Sequence, residues 1–138
     1  MFLKRVIIYG FKAFGDKVTF ESLSKCKNCI FGLNGSGKST FYNAIEFVLL
    51  DDFTHLRPFD RKSLLHNGCN TGFVELTFDN TSRRIPIDMD EVSLRRSIGL
   101  QKDEFFINRK HSTSNEIANL LETAGISLKS GIFIVKQG

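Results

Sequence analysis

The run Gly32-Leu33-Asn34-Gly35-Ser36-Gly37-Lys38-Ser39 is suited to holding phosphate. It fills the pattern G-x-x-x-x-G-K-[ST], the P-loop that wraps nucleotide phosphates. Glycines let consecutive backbone N–H groups turn toward one point and form an anion-binding nest. A helix that opens there aims its positive dipole end at the same point. In such a loop Lys38 reaches the β- and γ-phosphates and the Ser39 hydroxyl holds Mg²⁺. ATP and Mg²⁺ are therefore the expected cofactors.

The loop works only between a strand and a helix, and both are written on either side of it. Lys27-Asn28-Cys29-Ile30-Phe31 reads as a short buried strand. Phe41, Ala44, Ile45, Val48 and Leu49 fall at i, i+3, i+4, i+7 and i+8, one face of a helix that ends near Leu50. Upstream, Leu3 to Phe11 is β-rich through Val6, Ile7, Ile8 and Tyr9. Phe14-Gly15-Asp16 is a turn, and Lys17 to Glu21 a second strand with Val18 and Phe20 on one face.

Residues Asp51 to Asn70 are less regular, with Pro58 and a short helix expected around Lys62 to Leu65. From Thr71 the pattern alternates. Val74, Leu76 and Phe78 point one way, Glu75 and Thr77 the other. Asp79-Asn80-Thr81-Ser82 is a turn, and Ile85 to Asp88, Val92 to Ile98 and Glu104 to Asn108 are further expected strands. Together they predict an antiparallel layer flanking the nucleotide-binding sheet. Thr113-Ser114-Asn115-Glu116 is a capping box, followed by a helix face of Ile117, Leu120, Leu121 and Ala124 and a stop at Gly125. The last residues, Ile132 to Val135 with Lys136-Gln137-Gly138, read as an apolar strand with a polar tip. A chain end there points to a fragment or to a second chain that continues the structure.

The bulk composition bounds the reading without deciding it. At 138 residues, 41% hydrophobic and with 14 phenylalanines, the chain is one domain or part of one with enough apolar matter for a core. No run approaches a membrane span, and Lys4 and Arg5 precede only a short apolar stretch, so an intracellular setting is expected. A net charge of +4 is compatible with a nucleic-acid partner. The cluster Arg57, Arg61, Lys62 and the pairs Arg83-Arg84 and Arg95-Arg96 read as solvated faces. Cys26 and Cys29 form a C-x-x-C, but only Cys69 and His66 are available as further metal ligands, and ordinary burial is the expectation. His55, His66 and His111 belong to no catalytic constellation and are assigned surface or packing roles.

Hydrolysis needs more than a P-loop. It requires an acid closing an apolar strand, the Walker B group, and a residue that orients water. Val74-Glu75-Leu76-Thr77-Phe78-Asp79 comes nearest, but its alternation predicts a half-exposed strand. Ile85-Pro86-Ile87-Asp88 carries a proline that argues against a central strand. The active site reads as incomplete.

Gly10-Phe11-Lys12-Ala13-Phe14, the P-loop and the helix after it resemble the N-terminal head lobe of SMC (structural maintenance of chromosomes) proteins. The segments Phe53 to Pro58, Leu64 to Gly68, Phe73 to Asn80, Ile85 to Asp88, Glu91 to Arg96 and Ile134 to Gly138 are similar to the cohesin-type third SMC subunit. The resemblance implies an α/β P-loop NTPase fold: one ABC-type ATPase head lobe over 1–138, a mixed sheet plus an antiparallel β-layer. It implies that the C-terminal lobe of the same head, a coiled coil and a hinge lie elsewhere.

Two heads of this kind sandwich two ATPs, so hydrolysis is expected only with that C-terminal lobe and a sister SMC head. A kleisin subunit and DNA are the other implied partners, in a chromosome-associated setting of sister chromatid cohesion that is nuclear in a eukaryote and cytoplasmic otherwise. By the same resemblance Gln137 contacts Mg²⁺ and the catalytic water, and Lys12 and Arg57 approach the phosphates alongside Gly32 to Ser39 and Thr40. At Gln101-Lys102-Asp103 the subfamily carries two acetylated lysines. Here Gln101 takes the first place, and regulation is expected to rest on Lys102 alone or to be altered. A non-catalytic lobe completed by a partner chain and a RecF/RecN-type DNA-repair lobe are the alternative readings.

Overall fold

Strands whose apolar residues recur every second position build a sheet with one dry face. In a computed structural model of the chain, which describes residues 2–12, 14–21, 43–45, 47–49, 63–99 and 102–125, six such strands form one sheet. They are β1 (Phe2–Tyr9), β2 (Val18–Glu21), β3 (Thr71–Asp79), β4 (Glu91–Gly99), β5 (Asp103–Ile107) and β6 (Lys110–Ser112). Their order is β2-β1-β3-β4-β5-β6, and every pairing is antiparallel.

Register explains the dry face. Val6 lies opposite Leu76 and Ile8 opposite Val74, while Leu76 faces Leu94 and Phe78 faces Val92. A one-residue slip would turn all of these outward, so the pairing is strongly specified. Beneath this face pack Ala44, Ile45, Phe47, Val48 and Leu49, together with Ile117, Leu121 and Ala124. The latter three belong to the helix Ser114–Ala124. Its first turn is closed by Thr113, whose hydroxyl oxygen accepts the Glu116 N–H at 3.2 Å. Its last is closed by Gly125 in the left-handed region at φ 71°.

The expected antiparallel layer is present as one six-stranded sheet, which also takes in β1 and β2. The expected strands Lys27–Phe31 and Ile132–Val135, and with them the mixed part of the sheet, lie outside the described residues. Three expectations change. Ile85 to Asp88 is not a strand. The buried Asn80 takes its backbone groups instead, donating from Nδ2 to the carbonyls of Ile85, Ile87 and Met89 and accepting the Ile85 N–H at 2.9 Å.

The second correction concerns β3, which is not half exposed. Glu75 and Thr77 are only 3% and 4% accessible. Finally, Asn108 is not a strand residue. It takes φ 51° and Arg109 takes φ 70°, a two-residue turn that folds β6 back onto β5. Among the described residues no helix is long and apolar enough to cross a membrane.

Candidate functional site

Lys12 sits at the tip of a tight turn. Gly10 enters it at φ 62°, where an added Cβ would lie 2.4 Å from the Thr71 carbonyl oxygen. Phe11 and Phe14 exchange both N–H···O bonds at 2.9 Å. That leaves Lys12 at φ 50°, an uncommon conformation for a residue with a side chain. The surroundings hold it there. Its N–H donates to the Leu64 carbonyl at 2.8 Å, and its own carbonyl lies 2.7 Å from His66 Nδ1. A carbonyl can only accept, so Nδ1 is the protonated nitrogen of that ring. His66 thus has the packing role expected of it, and its backbone N–H also ties the turn by donating to Gly10 at 2.8 Å.

The turn is fastened to the helical residues that follow the P-loop motif. Phe11 is fully buried, and its ring centroid lies 5.0 Å from that of Phe47. Residues 43–45, 47 and 48 are helical. Ala44, Ile45 and Val48 are buried, as their spacing predicts, and Phe47 is buried beside them at the margin of that stripe.

On its other side Phe47 meets Arg96, whose guanidinium carbon stands 4.5 Å from the Phe47 centroid and 4.7 Å from that of Phe105. Arg96 Nη1 donates to the Phe47 carbonyl at 3.0 Å. Its Nε and Nη2 grip both carboxylate oxygens of Asp103 at 2.8 and 2.6 Å. The solvated-face reading of Arg95-Arg96 is therefore overturned for Arg96, which is fully buried. Its place was legible in the alternation, because Val92, Leu94, Arg96 and Ile98 occupy one inward row. Arg95 points to the other face, where Nη2 donates to the buried Glu75 at 2.6 Å and the guanidinium lies over Phe73.

Lys102 stands exposed next to the clamped Asp103. Its ammonium is 3.6 Å from Glu104, which also faces His111 Nε2 at 3.8 Å. Its carbonyl accepts the Gly99 N–H at 2.9 Å, so the backbone is fixed while the side chain stays accessible.

Thus the structure fixes Lys12 and Lys102 at two ends of one packed series, Lys12 turn, Phe11, Phe47, Arg96, Asp103. Gly32 to Thr40, Arg57, Gln101 and Gln137 lie outside the described residues, as do Cys26 and Cys29. Cys69 is a free thiol, and the described residues hold no cluster of metal-ligating side chains. The donors implied for a nucleotide (a glycine nest, an ammonium and a hydroxyl) suit a polyphosphate with its cation. Phe47, Arg96 and Asp103 are the residues that reading by motif missed, since none carries a motif.

Residues 2–130 match the family described as RecF/RecN/SMC N terminal domain. The whole chain is 48% identical over 142 residues to Structural maintenance of chromosomes protein 3 of Arabidopsis thaliana, covering 12% of that protein. It is 38% identical over 149 residues to the protein of the same name in Saccharomyces cerevisiae, again covering 12%. The chain thus spans about an eighth of the length of these curated relatives. Among solved structures, one from work on ATP-driven dimerization and DNA-stimulated activation of SMC ATPases superposes with a TM-score of 0.77 at 31% identity. It covers all of this chain and 87% of that one. An SmcHead bound to the C-winged helix domain of ScpA gives 0.75 at 28% identity, over 92% of this chain and 41% of that one.

Proposed function

This chain belongs to the RecF/RecN/SMC N-terminal family, and from that premise we propose that it is the ATP-binding N-terminal lobe of a cohesin-type SMC head. The observation that carries this reading is the burial of Ala44, Ile45, Phe47 and Val48 immediately after Gly32–Ser39. A helix seated on the sheet there gives the phosphate loop a fixed base, which a surface turn with an incidental lysine would lack. The kinship to third-subunit SMC proteins supports the cohesin-type assignment and a role in sister chromatid cohesion and chromosome organisation.

In this reading the loop N–H groups and Lys38 bind the β- and γ-phosphates, with Lys12 and Arg57 approaching them from outside. Ser39 and Gln137 hold the Mg²⁺, which neutralises phosphate charge when bound. Gln137 also orients water. The site is a half-site. Hydrolysis needs the C-terminal lobe of the same head and a sister SMC head, and a relative solved in work on ATP-driven dimerization supports that requirement. A relative bound to a ScpA domain supports a kleisin partner. DNA is engaged by the assembled complex on chromosomes in the nucleus. Lys102, accessible on a fixed backbone, is the residue available for acetylation, and mass spectrometry of the native protein that never finds it modified would remove that part.

The test is ATP binding to the chain paired with its C-terminal lobe, measured by equilibrium dialysis. Lys38→Ala removes a charge-assisted contact to phosphate and is expected to abolish measurable binding. Unchanged affinity would overturn the assigned site.

A further inference from the structure

A lysine ammonium rides on a long flexible stem, so the backbone that presents it decides first where it can reach. The backbone of Lys12 holds φ 50°, a region that a residue with a side chain keeps only when its surroundings impose it. One segment, Leu64 to His66, imposes it. The Leu64 carbonyl accepts the Lys12 N–H at 2.8 Å, Leu65 forms a bridge with Phe11, and the His66 N–H donates to the Gly10 carbonyl at 2.8 Å. The His66 ring completes the brace, with Nδ1–H donating to the Lys12 carbonyl at 2.7 Å. Both backbone polar groups of Lys12 are thus held from a stretch some fifty residues along the chain.

The opposite edge of the ring is aimed as well. A Cβ added to Gly15 would lie 2.8 Å from both Cδ2 and Nε2 of His66, so the imidazole lies flush against bare backbone. Gly15 is not among the glycines in the left-handed region. The turn therefore uses its missing side chain, not its conformational freedom. Gly15 is itself tied across the turn, its carbonyl accepting the Gly10 N–H at 3.3 Å. Bulk alone would call for neither a ring donor aimed at the left-handed residue nor a glycine against the ring's far edge.

We propose, on the ATP-binding reading in which Lys12 approaches the phosphates, that His66 is a positioning residue of the nucleotide site. Its Nδ1–H keeps Lys12 in the left-handed conformation and so sets the direction in which the ammonium is presented. Gly15 is the residue that leaves room for the ring to do this. Neither residue touches the nucleotide. Both act through Lys12, so their effect on binding disappears when the Lys12 side chain is absent.

The test is ATP affinity, by equilibrium dialysis, of the chain paired with its C-terminal lobe. His66→Leu keeps apolar bulk and removes the donor, and should weaken binding by about two- to tenfold, the net worth of one hydrogen bond. His66→Asn loses bulk but keeps a donor, since Asn Nδ2 stands as far from Cβ as His Nδ1 does. It should bind close to the parent. A packing role would reverse that order. Gly15→Ala should behave as His66→Leu does, because the added methyl displaces the ring. With Lys12→Ala already in place, none of the three should weaken binding further, whereas general destabilisation would weaken it in either background. The proposal is overturned if Asn binds no better than Leu, if the losses persist without the Lys12 side chain, or if Lys12→Ala itself binds as the parent does. A parent that binds ATP through Lys38 while the His66 series stays flat sinks this proposal alone. Lys38→Ala binding as tightly as the parent sinks the ATP reading itself.

Discussion

Arg96 grips both carboxylate oxygens of Asp103, at 2.8 and 2.6 Å, from a position with no solvent access. This bidentate pair closes the β4–β5 connection that carries Lys102, while the third arm of the same guanidinium reaches the Phe47 carbonyl. One side chain therefore joins the segment after the P-loop motif to the segment that presents the accessible lysine.

The pair should be costly to break and cheap to replace. Arg96→Ala leaves a largely buried carboxylate without its cation, and a loss of about 3–5 kcal/mol is expected. Replacing both partners with apolar residues, Arg96→Met with Asp103→Leu, should recover most of it, because neither charge is then stranded. Urea denaturation midpoints of the two variants decide the matter. A double variant no more stable than the single one would show that the contact to Phe47, not the ion pair, carries the energy.

Asn80 predicts a different pH response. Its amide faces the three carbonyls of Ile85, Ile87 and Met89, and its oxygen takes the Ile85 N–H. Asn80→Asp places a carboxylate against those carbonyls with no hydrogens to offer, so the side chain should resist ionising and its folded-state pKa should lie above its unfolded one. The destabilisation is then largest at neutral pH and shrinks as pH falls and the carboxyl protonates. Asn80→Ala should cost about 1–3 kcal/mol, the penalty for unsatisfied buried groups, with no such pH dependence. Parallel denaturation curves at acidic and neutral pH separate the two.

The same two residues show what was legible in the sequence. Alternation located β3 and β4, the capping box located the helix at Ser114, and the i, i+3, i+4 spacing put Ala44, Ile45 and Val48 on the buried side. Those signals are local and repeat. The segment from Ile85 to Asp88 is apolar enough to read as strand, yet its path is irregular. What governs it is Asn80, a few residues upstream, through side-chain bonds with no period to betray them. Arg96 is concealed for the opposite reason. Its row in the alternation is the inward one, but arginine next to arginine suggests solvent. The two rings and the carboxylate that make burial tolerable come from three separate segments. For the nucleotide site the motif outran the fold, since only Lys12 of its implied members lies in the described residues.

Asp79 gives an acid-side prediction. Its carboxylate accepts from the Thr81 hydroxyl at 2.7 Å and from the Thr81 N–H at 3.1 Å, and these bonds hold its pKa below the ordinary value. A depressed folded-state pKa means stability that is present above the unfolded pKa and lost as pH falls through the folded one. The group is exposed, so the contribution is small. Thr81→Val removes the hydroxyl donor and keeps the backbone one. The Asp79 titration, followed by carboxyl-carbon NMR, should move up toward the ordinary value, and the acid-side slope of stability should flatten. An unmoved titration would assign the shift to the backbone bond and the charges of Lys4 and the N-terminus instead.

Phe47 is where the two ends of the packed series meet, with Phe11 5.0 Å away on one side and the Arg96 guanidinium 4.5 Å away on the other. Phe47→Ala removes a fully buried ring and should cost about 3–5 kcal/mol, as aromatic truncations in cores do. The more telling measurement is coupling. Phe11 and Arg96 both rest on this one ring, so Phe11→Leu and Arg96→Met should combine non-additively, with an interaction of about 0.5–3 kcal/mol, when Phe47 is present. In a Phe47→Leu background the medium between them is altered, and the same pair should approach additivity. The readout is a triple-mutant cycle in urea. Additive effects in both backgrounds would mean that the Lys12 turn and the Lys102 connection are packed on the same helix yet energetically independent.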